Sequence, residues 1–287
     1  MAVVAGRITL GGQSGSIGKI LGRVGFYTAL IVVSLIWLLP LLWLMSTSIK
    51  PTALTFALPP VLLFTPTVEH YVDVLSNTAM FRNAANSLII SLSGSAICVV
   101  IGSMAAYSIV RYEVGGRWLR MLILGVRMIP PAVLALPLFV MFQAWALVDT
   151  WISVVWAHLT FTLPFTIWLV AGFIDEVPAE IEEAAMVDGC SPFKAMTKVT
   201  LPLVAPGLSV AAFFAFIFSW NEFLYSLVLT IERAKTLPVV AAGYISNQSI
   251  MWGPICALGT LMIVPPVVFV AFTHRYIVRG LTMGGIK

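Results

Sequence analysis

Glu183-Ala-Ala-Met-Val-Asp-Gly-Cys-Ser-Pro192, followed by Leu201-Pro-Leu-Val-Ala-Pro206, is a polar stretch between segments apolar enough to reside in lipid. Its pieces spell a helical elbow. Pro178 suits the first turn of a helix, where the N–H it lacks has no partner to lose. Glu180, Glu182 and Glu183 then crowd the positive end of that helix's dipole. Ala184 and Ala185 keep one side low enough for another protein surface to approach closely. Gly189 permits the left-handed backbone that stops a helix, and Ser191-Pro192 reads as the N-cap and first position of the next one. Pro202 and Pro206 mark the return to the membrane. Such an elbow outside the lipid is a surface for another protein to push.

The flanking segments set the fold class. The chain of 287 residues is 60% hydrophobic and 10% charged, with a mean hydropathy of +1.01. Lipid requires each backbone polar group to be satisfied within a helix or a closed barrel, and the charge-free runs here far exceed the roughly ten residues of a barrel strand. An all-α polytopic membrane protein with six transmembrane helices is predicted, its spans near 25–46, 84–110, 121–143, 151–174, 204–229 and 254–273. Residues 1–24 are expected to form a cytoplasmic leader, Gly/Ser-rich and floppy over 1–18. Residues 25–273 form the membrane domain, with the elbow at about 175–203, and 274–287 form a tail.

Basic residues orient the chain. Eleven lie on one side: Arg7, Lys19, Arg23, Arg111, Arg117, Arg120, Lys194, Lys198, Arg275, Arg279 and Lys287. Four, Lys50, Arg82, Arg233 and Lys235, lie on the other, and Arg127 sits within a span. The elbow and both termini are therefore expected in the cytoplasm. This asymmetry accounts for the net charge of +4 without nucleic acid. The scattered Cys98, Cys190 and Cys256 suggest neither a disulfide nor a metal site. No Gly-rich phosphate loop is present, so ATP is expected on a partner. Outside the membrane, His70, Tyr71 and Val74 suit a short amphipathic helix lying against the bundle.

Five stretches together resemble a known family. They are Glu183–Gly189 with Leu201-Pro202, Arg127-Met-Ile-Pro-Pro131, Ser219-Trp-Asn-Glu-Phe223, Lys235-Thr-Leu-Pro238, and the tail from Arg275 to Lys287. The chain is similar to permease subunits of binding-protein-dependent ABC importers, and within them to the second permease of carbohydrate-uptake systems, the maltose-type group. Cys190 stands where that family usually has Ala, and Met283-Gly-Gly-Ile replaces its more usual ending. The resemblance implies a type I importer permease fold, a heterodimer with a paralogous permease, and two ATPase subunits that carry ATP and Mg. It also implies an external solute-binding protein and a sugar or polyol as cargo. Glu183, Ala184, Ala185, Asp188, Gly189 and Pro202 become the ATPase-coupling residues, and the tail reaches towards the ATPases. No catalytic residue, metal or cofactor is expected on this chain. A non-carbohydrate solute is the alternative.

Arg127, Trp220, Asn221 and Glu222 are candidates for the translocation path, because ionisable groups within spans face a bundle interior or water. Arg127 could instead snorkel, and Glu222 could hold two helices together. His158 reads as hydrogen-bonded to a neighbouring helix. An ion-coupled secondary transporter needs coupling-ion ligands near the midplane and paired broken helices, and the carboxylates here avoid that region. An intramembrane enzyme needs a nucleophile–base pair or a metal cluster, and one His with no nearby acid gives neither.

Overall fold

The computed structural model describes the backbone of residues 14–246 and 249–283. Most of the expected leader, Asn247-Gln248 of the last connection, and the tail from 284 lie outside the described residues. Within them the secondary structure is helical apart from one isolated bridge, Ile245 to Ile250. In chain order the helices are α1 (Ser14–Ser48), α2 (Thr52–Thr55), α3 (Glu69–Ser76), α4 (Met80–Arg111), α5 (Gly116–Arg127), α6 (Pro131–Ala144) and α7 (Trp151–Asp175). Then follow α8 (Ala179–Val187), α9 (Pro192–Ala195), a π-helical turn (Met196–Thr200), α10 (Leu201–Leu203), α11 (Ala205–Trp220), α12 (Leu224–Leu229), α13 (Leu237–Ala242) and α14 (Trp252–Met283).

Four stretches are long and apolar enough to cross a membrane uninterrupted: Gly22–Ser48 of α1, α4, α7, and Trp252–His274 of α14. Two bent pairs, α5 with α6 at 90° and Pro192–Leu203 with α11 at 80°, make six crossings when each counts as one. α4 packs along α7 and α11, and α14 joins α11 to α1. The face of α4 turned inward is polar, with Asn83, Asn86, Ser87, Ser91, Ser95 and Ser103 all buried. Small side chains let α7 close on it, and Gly102 lies directly beneath Thr166.

Several boundaries differ from expectation, each for a local reason. α1 is already helical at Ser14, inside the expected leader, because a helix once nucleated propagates through isolated glycines. The third span breaks at Met128–Pro130, since Pro130 is extended (φ −60°, ψ 134°) and a proline pushes the residue before it out of the α region. The expected 204–229 span stops at Trp220 and restarts at Leu224. The expected tail continues α14 as helix to Met283. At the outer connection α3 lies on the bundle as the sequence suggested, with His70 and Val74 buried and the Tyr71 hydroxyl 2.8 Å from Ser48 Oγ.

Candidate functional site

The elbow is built by local chemistry. Pro178 is the N-cap of α8 (φ −57°, ψ 132°), one position earlier than expected, because its extended ψ cannot belong to the helix itself. Gly189 takes φ +91° and completes a Schellman ending: its N–H donates to Met186 O at 3.0 Å, and Cys190 N–H reaches Ala185 O at 3.0 Å. One residue later Ser191 Oγ accepts from Lys194 N at 3.4 Å, with Pro192 at the first helical position. The helix then widens. Pro202 lacks the N–H for a regular turn and its ring crowds the carbonyl four residues back, so Leu201 N–H bonds five residues back to Met196 O.

α8 has two faces. Glu182 is 3% exposed, and its carboxylate is wholly engaged: Arg111 Nε donates to Oε1 at 2.6 Å and the Tyr107 hydroxyl to Oε2 at 2.8 Å. Arg111 also donates through Nη2 to Val177 O at 2.8 Å. The neighbouring Glu183 is exposed, as are Ala184 and Asp188, while Val187 is 89% and Phe193 62% exposed. Beneath the elbow Tyr107, Val170, Ile174, Met196, Val204 and Ala211 form one apolar cluster. The expected coupling residues Glu183, Ala184, Asp188, Gly189 and Pro202 thus lie on the outer surface of the elbow, with Ala185 partly covered. The buried role of Glu182 was missed; the i, i+4 spacing of Tyr107 and Arg111 at the end of α4 was the available signal.

A second cluster lies in the bundle. His158 Nδ1 is 2.7 Å from Ser219 Oγ, and Nε2 is 3.1 Å from Glu222 Oε2. Glu222 also accepts the backbone N–H of Tyr225 at 2.8 Å and of Ser226 at 3.1 Å. This corrects the expectation that His158 has no nearby acid. The three residues resemble a Ser–His–acid relay, but His158 is 1% and Ser219 5% exposed, and the carboxylate is committed to the start of α12. The cluster pins the break between α11 and α12 to α7.

The four residues expected along a path separate. Trp220 is 2% exposed, stacked on Phe216, and donates Nε1–H to Met262 O at 3.1 Å, so it belongs to the α11–α14 core. Glu222 is spent on His158 and α12. Asn221 is exposed in the break. Arg127, also exposed, ends α5 with its guanidinium 4.2 Å from the Phe165 ring centre and 5.2 Å from that of Phe218. Among the described residues no group of His, Cys, Asp or Glu gathers as a metal site.

At the end of the bundle away from the elbow, Asp149 clasps the loop before α13. With φ +61°, it receives the N–H groups of Ile231 at 3.0 Å, Glu232 at 3.2 Å, Arg233 at 3.0 Å and Ala234 at 3.0 Å. Burial pushes its carboxyl up, but these four backbone donors together hold it below the usual carboxylate value. Asn86 supports the same loop, donating to Arg233 O at 2.8 Å and accepting Trp151 Nε1–H at 2.8 Å.

An all-helical bundle with broken spans and a capped elbow between α7 and α11 is an importer permease architecture. The chain belongs to the family described as the binding-protein-dependent transport system inner membrane component, whose model matches residues 98–283. It is 38% identical over 256 residues to the trehalose transport system permease protein SugB of Mycobacterium tuberculosis, covering 87% of this chain and 92% of that protein. It is 33% identical over 274 residues to the trehalose/maltose transport system permease protein MalG of Thermococcus litoralis, covering 94% and 98%. Its fold matches a chain of a bacterial ABC transporter involved in the import of the acidic polysaccharide alginate, with a TM-score of 0.71 at 20% identity, covering 94% of this chain and 100% of that one. The protein is an ABC importer permease of the inner membrane, with a type I fold.

Proposed function

We propose that this permease carries a sugar, polyol or related carbohydrate into the cytoplasm as one half of a pore shared with a paralogous permease. An external binding protein delivers the solute, and two ATPase subunits bind ATP and Mg and dock on the elbow. The observation that carries this reading is the two-faced α8. One glutamate is locked inward, while Glu183 and Val187 stand exposed on α8 and Phe193 on the following α9. Large apolar side chains beside an acidic group, held on a rigid support in water, match a protein partner's cleft. The excess of basic residues on the elbow side supports its cytoplasmic placement. The trehalose and maltose relatives support carbohydrate as cargo.

The solute path on this reading passes Arg127 and Asn221. Non-helical backbone at membrane depth is tolerated where it is buried in protein or lines water, and an exposed guanidinium beside the Met128–Pro130 break fits the second case. Phe165 and Phe218 beneath it hold the guanidinium in place by their ring faces. Trp220 and Glu222 hold the wall behind.

Reconstitution tests the whole. Vesicles containing this chain, its paralogue, the ATPases and the binding protein take up labelled disaccharide only with ATP. Omitting the ATPases abolishes uptake under any imposed ion gradient. Gradient-driven uptake without ATPases refutes the reading in favour of a secondary transporter.

A further inference from the structure

Chain continuity ties the elbow to α7, through residues 176–178, and to α11, through the π-helical turn. It does not tie the elbow to α4, which packs along both of those helices. Only side chains make that third connection. Arg111 ends α4, and its guanidinium grips the elbow at two points: the Val177 carbonyl just before α8, at 2.8 Å, and Glu182 in the first turn of α8, at 2.6 Å. Tyr107, one turn back on the same face of α4, holds the other carboxylate oxygen at 2.8 Å.

Among the described residues the other Arg–carboxylate pairs are more exposed. Arg82–Glu232 is exposed at 48% and 63%, and Arg120–Asp175 stretches to 3.9 Å at 48% and 51%. Pairs like these contribute little and constrain little. Arg111 and Glu182 are 12% and 3% exposed, so water cannot replace either partner when the elbow is pushed. A planar guanidinium holding two acceptors also fixes orientation as well as distance, which an ammonium does not.

We infer that Glu182, with Arg111 and Tyr107, is the joint that makes α4 move with the elbow. Glu182 is thus a positioning residue for ATP-driven transport. The two adjacent glutamates divide the work: Glu183 faces the subunit that pushes, and Glu182 passes the displacement to a helix the chain does not otherwise connect. α4, α7 and α11 then turn as one body. Without the joint, apolar packing alone holds α4 to α7 and α11, and a docked ATPase turns the elbow while α4 lags in rotation. This inference rests on the elbow being the ATPase docking surface.

The test uses the reconstituted complex. Glu182→Gln and Arg111→Lys should retain ATPase co-purification and basal ATP hydrolysis, while solute taken up per ATP hydrolysed falls about tenfold or more for Glu182→Gln. Arg111→Lys keeps the charge but loses the fork, and should fall between Glu182→Gln and wild type. The double variant Arg111→Met/Glu182→Met leaves no unpaired buried charge and guards against a simple folding failure. It should assemble yet stay uncoupled. Wild-type coupling in either Glu182→Gln or the double variant overturns the joint. A measurement on the otherwise intact complex is independent of these variants: spin labels at Met104→Cys on α4 and Ala179→Cys on α8, both exposed positions and neither assigned to docking, should keep one separation with and without ATP. A change in that separation on ATP binding overturns the joint. A wild-type complex that shows no ATP-driven uptake refutes the transport reading instead.

Discussion

Gly189 offers a clean measurement of how much the elbow's shape matters. Its φ is +91°, and a Cβ added there meets no atom within 4 Å, so substitution brings backbone strain and no clash. An ordinary L-residue in left-handed backbone costs roughly 1–2 kcal/mol, a β-branched one up to about 3 kcal/mol, and Asn less than either. If α8 and α9 keep their geometry, Gly189→Ala therefore shifts the equilibrium away from the native elbow by about tenfold, and Gly189→Val by up to about a hundredfold. If the backbone relaxes instead, the bonds from Gly189 N to Met186 O and from Cys190 N to Ala185 O are lost, and the arm carrying Phe193 is re-aimed. Both routes give the same order of ATP-driven uptake: Gly, then Asn, Ala and Val. Membrane insertion, read by expression level and detergent-extracted yield, should be equal across the series, since the position lies outside the spans. Gly172 in α7, also with open space around it but with no positive φ, supplies the control, and Gly172→Ala should transport normally. Wild-type uptake in Gly189→Val, or an Asn variant worse than Ala, refutes the backbone argument.

Charge reversal at Glu183 should leave insertion intact and cost ATPase co-purification or solute-stimulated hydrolysis, with part of the loss restored by a reciprocal swap on the ATPase; full assembly with Lys at 183 makes the acidic face mere solvated surface. At the other end, Asp149→Asn keeps a residue suited to φ +61° but removes the charge from four N–H donors. It should cost about 1.5–3 kcal/mol of stability, read by thermal unfolding in detergent. Because the Asp149 carboxyl is held below its ordinary value, its contribution is complete above the unfolded-state value near 3.8 and disappears as pH falls through the lower folded value. Wild type should therefore lose its advantage over Asp149→Asn only in strongly acidic solution. A difference that vanishes already near neutrality contradicts this account.

What was legible in the sequence was governed by local rules. The Schellman ending at Gly189 and the Ser191 cap close within six residues, so glycine, serine and proline at those spacings announce them without knowledge of the rest of the chain. The uninterrupted crossings α4 and α7 were equally legible, since a bilayer demands about twenty apolar residues whatever they pack against. The breaks were half legible. Pro130-Pro131 signalled a disturbance in the third span, but its size, a 90° bend, depends on where α7 and α12 hold α6.

Partnerships across helices belonged to the tertiary structure. Glu182 and Glu183 are chemically identical neighbours. Which of them turns inward is set by the rotation of α8 against α4, whose Arg111 lies 71 residues away in sequence. His158 finds Ser219 and Glu222 at separations of 61 and 64 residues, and Asp149 finds the N–H of Ile231 at 82. Helices that are apolar nearly all round carry no stripe to reveal their phase. The sequence alone therefore determined which segments cross the membrane and where the elbow bends, because lipid and backbone geometry act on short stretches. Only packing decided which polar side chains meet, because that depends on helix rotation and register, which uniform hydrophobicity does not encode.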